Sequence, residues 1–313
     1  MSISSVTYRP HRLHDGPRTY LETNCYADVL IELLHARGYE PLAGFGHLVR
    51  MDFEGDQWTF FKPPPEDLEL LFGVDIHEMQ PYRPLPVQIA EQLDVGRTMI
   101  VEVDAWYLPD TASTSYRTEH VKTSLAADAI DPAAERLSYF HNAGRHELDG
   151  EDYRGVFRIG GEYSDDVLSP YTELVRFDAG PALTGLALRN AAGAVLRRHL
   201  ERAPRENPFV RFGDQLERSL PELLSGDLED YHAYAFATVR MAGAGFELVS
   251  SHLDWLLGAP SADVVTSLAE IVAGTKTLSF RLARRHPFDP EPLIAAMADA
   301  WTRAMEALVE AMP

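Results

Sequence analysis

A single cysteine, Cys25, in 313 residues excludes an internal disulfide and any metal site built on paired cysteines, and suits a reducing compartment. No stretch approaches the roughly 18 uninterrupted apolar residues of a membrane-spanning helix. The N-terminal residues also lack the apolar run of a secretory signal, so a cytoplasmic protein without a membrane partner is expected. Positive charge is scarce: 28 Lys and Arg face 48 Asp and Glu, a net −20. Phosphate backbones require a basic footprint, so nucleic acid is not an expected partner. The chain has no Gly-x-Ser-x-Gly elbow, no phosphate-binding Gly-x-x-x-x-Gly-Lys-Ser/Thr loop and no dinucleotide Gly-x-Gly-x-x-Gly. His-Glu pairs at 77–78 and 146–147 lack the second histidine of a zinc-protease helix, and His11 and His14 fall in an irregular lead-in. Neither a metal site nor a bound cofactor is expected.

What is present is an ordinary globular composition, 45% apolar and 24% charged, long enough for two domains. Residues 20–38 hold the clearest helix. Tyr26, Val29, Leu30, Leu33 and Leu34 form the apolar stripe, Thr23 and Asn24 are N-cap types, and Gly38 is a C′ type. Cys25 then sits in the first turn, where unpaired N–H groups and the macrodipole favour a thiolate, although Asp28 one turn on opposes it slightly. A lone cysteine is ordinarily a small buried hydrophobe. Covalent acyl chemistry at Cys25 therefore requires a base and an orienting group elsewhere in the chain.

The β-branched run Thr98–Asp104 predicts a strand leading into Trp106, Tyr107, Leu108 and Pro109. His120–Ile130 and Leu137–Asn142 predict a hairpin about an Asp131–Arg136 turn, and short strands are expected at 155–159 and 174–177. The pattern then turns helical over 183–203, 209–224, 228–257, 261–286 and 290–311. The expected fold class is α+β. A cysteine-bearing helix packs on an antiparallel sheet carrying His in residues 1–165, and a mostly helical domain fills 166–313. His120 is the candidate base and Asn142, on the return strand, the candidate orienter. An Asp131–Arg136 register puts Asn142 opposite Leu125, about 16 Å along the strands from His120, so a bulge would be required. Asp131, His141 or Glu147 could take the orienting role instead.

The strings Glu22-Thr23-Asn24-Cys25-Tyr26, Gly55 to Pro63, Val101 to Asp110, Glu119 to Thr123 and Tyr139 to Gly144 carry a resemblance. The order of motifs, Cys25 opening a helix, Thr98–Asp104 running into Trp106 to Pro109, then the His120 strand with its Ile130-Asp131 turn, resembles the butirosin biosynthesis protein H family, papain-like cysteine acyltransferases with an appended helical region. The strings themselves look closer to the bacterial family known as domain of unknown function 1839. The resemblance is specific from about residue 18 to 158 and looser in the helical half.

It implies transfer of an acyl or aminoacyl group from a carrier-protein phosphopantetheine thioester, through a Cys25 thioester, to a small-molecule amine or other acceptor. His120 would deprotonate the thiol and later the amine. Butirosin-type proteins place an aspartate where this chain offers Asn142, and papain-like enzymes use asparagine there. The oxyanion hole would use the Cys25 N–H with Asn24 or Gln57 as side-chain donor, and Trp58, Asp104 and Trp106 are further pocket candidates. A cysteine hydrolase on the same site and a non-catalytic carrier-binding module are the rival readings. Arg189, Arg197, Arg198, His199, Arg202, Arg205, Arg211 and Arg218 offer a local basic complement to an acidic carrier. The helical half could cap the site, bind the carrier or form a homodimer.

Overall fold

The computed structural model describes residues 8–22, 24–161 and 169–312. In chain order the elements begin with α1 (Cys25–Ala36), a 3-10 segment (Pro41–Arg50), β1 (Phe53–Glu54), β2 (Gln57–Trp58), α2 (Pro65–Phe72) and β3 (Asp75–Met79). There follow α3 (Leu85–Asp94), β4 (Thr98–Asp104), 3-10 turns at Ala105–Tyr107 and Pro109–Thr111, β5 (Lys122–Asp131), β6 (Arg136–His141), β7 (Gly144–Asp149), α4 (Gly150–Phe157) and β8 (Thr172–Arg176). The remainder is α5 (Gly185–Leu200), α6 (Pro208–Ser225), α7 (Leu228–Ala235), a π-helical turn (Phe236–Arg240), α8 (Met241–Leu257), α9 (Ala262–Ala283) and α10 (Glu291–Ala311). The fold is α+β, with a helical C-terminal region.

Two compact units form: residues 1–16, 25–41 and 64–183, and residues 17–24, 42–63 and 184–313. The expected boundary between 165 and 166 lies outside the described residues. The first unit nevertheless continues past it, because β8 inserts between β3 and β4 in the sheet. Two early segments belong to the second unit instead. Glu247 of α8 accepts hydrogen bonds from the Thr19 and Tyr20 backbone, and β2 contributes Trp58 to the core of the helices.

The sheet of the first unit is antiparallel throughout, in the order β3-β8-β4-β5-β6-β7. Alternation assigns its two faces different work. Val101, Val103, Leu125, Ala127, Leu137, Tyr139 and Leu148 pack with Leu85 and Ile89 of α3 and with Tyr153 and Val156 of α4. Cys25 and Tyr26 of α1 touch Ser124 and Glu173 on the opposite face. At the end of α1, Gly38 adopts φ 79°. Its N–H bonds to the His35 carbonyl and the Tyr39 N–H to the Leu34 carbonyl, the Schellman closure that the glycine signals. The expected cap Thr23 lies outside the described residues.

Strand β4 spans the predicted residues, and Asp131 pairs with Arg136 across the β5–β6 turn. A register shift between Ala127 and Ala129 follows from a bulge at Asp128, whose carboxylate accepts from Arg145. Residues 155–159 do not form the expected strand; Gly155 lies inside α4, with Tyr107 against its Cα. Strands β3 and β7 carry no legible signal. They are the sheet edges, where charged and polar residues replace the apolar alternation.

In the second unit Trp58, Phe53, Phe209, Phe212 and Phe246 form one aromatic cluster with contacting ring centroids 5.0–6.3 Å apart. The expected helix 228–257 is interrupted by the π-helical turn. Gly243, on α8, lies against the Tyr20 ring so closely that a Cβ would fall 2.1 Å from it. His252, fully buried, donates from Nδ1 to the Leu42 carbonyl, and burial pushes its pKa down to about 4 against that bond.

Candidate active site

Cys25 opens α1 and is partly exposed. Its Sγ lies 3.8 Å from the Ser124 hydroxyl of β5. Ser124 pairs directly with Glu102 of β4, and Lys122 pairs with Asp104, so all four side chains share the face that α1 covers. Asp104 is one alternation further along that face, about 7 Å beyond the rung that touches the thiol.

His120 lies just before β5, at the end of the loop that leaves β4. Its Nδ1 donates to Asp104 Oδ2 at 2.6 Å, while Asp104 Oδ1 accepts the Trp106 backbone N–H at 3.0 Å. The Trp106 ring stacks on the imidazole with centroids 4.4 Å apart and planes 9° from parallel. An aspartate and a parallel indole therefore hold the imidazole in a defined orientation, with Nε2 making no hydrogen bond to the described residues. Nor does a hydrogen bond join His120 to Cys25 among those residues. The His120 side chain is 66% exposed, and catalytic contacts often close only around substrate.

Asn142 is not the group that orients His120. It occupies the β6–β7 turn with φ 47°, a left-handed position that asparagine tolerates, while Asp104 takes the imidazole. Asp131, Glu147 and His141 are engaged elsewhere. Asp131 accepts the Ala133 and Ala134 backbone N–H groups, Glu147 lies 3.6 Å from Arg145, and His141 is buried against Asp110. Sequence patterns place Asp104 and Trp106 only on the pocket wall. Their partnership with His120 depends on the β4–β5 register, which pairs Asp104 with Lys122 across a 17-residue connection.

Asn24, Gln57 and Trp58 belong to the second unit. There Asn24 Nδ2 donates to the Phe61 carbonyl at 2.8 Å, Gln57 is exposed on its hairpin, and Trp58 is buried in the aromatic cluster. Within the basic stretch, Arg197, Arg202, Arg205 and Arg218 are exposed, whereas Arg211 pairs with Asp52 and His199 is buried. Arg189 lies over the Trp255 ring.

His14 lies in the irregular lead-in, but its side chain is wholly buried against α1, between Asp28 at 3.0 Å and Glu32. Burial alone would lower its pKa; the hydrogen bonds to Asp28 and Glu32 outweigh that and push it up to about 9. Glu32, also buried, further accepts the His11 N–H and the Tyr8 hydroxyl. No adjacent apolar pattern announces this cluster, because its members are polar residues buried by pairing with each other. Among the described residues no group of three His, Cys, Asp or Glu side chains is placed to hold a metal ion. No described helix is long and apolar enough to cross a membrane.

The family model for the DUF1839 N-terminal domain matches residues 9–177, and that for the DUF1839 C-terminal domain matches residues 186–310. No curated protein matches the chain.

Proposed function

The chain belongs to the DUF1839 family, and we propose that its first unit is a papain-like cysteine acyltransferase. The observation that supports this most directly is the Asp104–His120 pair, stacked under Trp106 at the edge of the sheet face on which Cys25 begins α1. Asp104 keeps the Nδ1 proton in place, so Nε2 carries the lone pair a general base needs. Cys25, which opens α1 and is partly exposed, supplies the nucleophile.

In the proposed reaction, Cys25 Sγ attacks the carbonyl of a carrier-protein phosphopantetheine thioester after its proton passes to His120. The tetrahedral intermediate collapses, the pantetheine thiol leaves with that proton, and the acyl or aminoacyl group remains on Cys25. An amine of a small acceptor then attacks this thioester and gives its proton to His120, and the Cys25 thiolate departs. Hydrolysis differs only in that water replaces the amine.

The test is intact-protein mass spectrometry after mixing the chain with acyl- or aminoacyl-loaded carrier protein, alongside Cys25→Ala and Cys25→Ser. The expected result is a gain of one acyl group, absent from the alanine variant and removed by hydroxylamine. No adduct with any loaded carrier, together with a folded protein whose Cys25 resists iodoacetamide, would instead leave a carrier-binding module with a structural cysteine.

A further inference from the structure

A second histidine–aspartate pair lies in the same unit, on the opposite face of the sheet. Asp110 sits in the middle of the 17-residue connection between β4 and β5, and its side chain is 8% exposed. Its two carboxylate oxygens accept the Tyr139 hydroxyl and His141 Nδ1, each at 2.5 Å. His141, 1% exposed, meets the Thr123 hydroxyl at 2.8 Å through Nε2. Thr123 stands three residues after His120, so the chain of contacts runs from the loop's middle, through β6, to the start of β5. Burial alone would raise the Asp110 pKa, but the His141 bond and charge outweigh it and hold the carboxylate below its usual range.

With these side chains walled off from solvent, this pair is not itself placed to meet a substrate. Buried polar side chains that satisfy one another in such a network hold a defined local geometry. The connection it grips carries Trp106 and His120 and starts at Asp104, and it has no ladder of its own. It has other ties as well: the Ala105 N–H bonds to the Val121 carbonyl and the Arg117 N–H to the Trp106 carbonyl, the Thr111 hydroxyl bonds to the Ala105 and Leu108 carbonyls, Leu108 is buried in the core, and the Tyr116 and Arg117 side chains bond to Asp152 of α4.

We infer that Asp110, His141 and Thr123 are positioning residues for His120, fixing the β4–β5 connection so that the imidazole stands against Asp104 and Trp106. The inference rests on the reading of His120 as the base. Because Thr123 and Ser124 project to opposite faces, the grip acts through the strand and leaves the Cys25 face open.

The experiment combines Asp110→Asn, Thr123→Val and Thr123→Ser with two readouts. The first is the rate of Cys25 alkylation by iodoacetamide, in the native and His120→Ala backgrounds. The second is the His120 ring nitrogen shifts, read from its carbon-bound protons by NMR, with Asp104→Asn as reference. Asp110→Asn and Thr123→Val are expected to slow alkylation by about 3–10-fold, and Thr123→Ser by less than about twofold. With His120→Ala present, Asp110→Asn should add nothing, and in its absence the ring shifts should move toward those of Asp104→Asn. Unchanged ring shifts in folded Asp110→Asn, or equal slowing in both backgrounds, would overturn the inference. Should Asp110→Asn fail to fold, Thr123→Val carries the same test, since it removes one hydrogen bond without uncovering a charge. Should His120→Ala leave alkylation unchanged, the reading of His120 as base fails, and the ring shifts alone decide the positioning role.

Discussion

Asp104→Asn probes the proposed site with a near-isosteric change. Asp104 accepts two N–H groups on separate oxygens, one from Trp106 and one from His120. Asparagine offers one acceptor and one donor, so it cannot serve both. If its oxygen keeps the Trp106 bond, its amide faces His120 and favours the tautomer whose Nε2 carries the proton. That tautomer cannot deprotonate a thiol. If the oxygen instead faces His120, two donors meet at Trp106. A hydrogen bond to a charged group contributes about 1.5–3 kcal/mol. With His120 two-thirds exposed and Asp104 one-third exposed, solvent screening reduces this to about 1–2 kcal/mol. At 1.4 kcal/mol per tenfold, the expected slowing of acyl transfer is about 5–30-fold. The assay is the single-turnover rate of Cys25 acylation by a loaded carrier protein, at matched folded fraction. Asn142→Gly, which keeps the left-handed backbone, should stay within about twofold of the native rate because Asn142 serves a turn. An Asp104→Asn rate near native, with a tenfold loss in Asn142→Gly, would refute the reasoning and return the orienting role to Asn142.

His14→Phe should destabilise the protein by about 3–5 kcal/mol in urea unfolding at pH 7, since it leaves Asp28 and Glu32 buried without their cation. In the native chain His14 titrates at about 9 when folded and near 6.5 when unfolded, so only the folded state holds the proton between those values. This contribution, about 3 kcal/mol, is full below pH 6.5 and is lost as the pH rises through 9, a slope that His14→Phe should abolish. A variant with native stability and the native slope would show the cation to be unimportant. Gly243→Ala should cost about 1–3 kcal/mol, because its methyl meets the Tyr20 ring, and pairing it with Tyr20→Leu should recover part of that loss. Equal destabilisation in both backgrounds would point instead to a backbone effect.

Local signals are enough to specify α1, its Schellman closure at Gly38, strand β4 and the Asp131–Arg136 turn. Each depends on residues within a few positions of one another: a 3.6-residue stripe, a glycine free to take positive φ, a β-branched run. Cys25 at the helix start is legible for the same reason. The partner of His120 is not. Asp104 lies 16 residues away, and only the β4–β5 register and the Trp106 stack bring it there. By sequence Asn142 is the chosen orienter and His141 an alternative; in the fold, Asp110 claims His141 from within a long connection. Burial likewise turns His14 from a lead-in residue into the cation between two carboxylates, and β8 joins the first unit because its hydrogen bonds reach β3 and β4. Short-range periodicity is written into neighbouring residues. The choice among distant polar partners is made by register and packing, which exist only once the chain has folded.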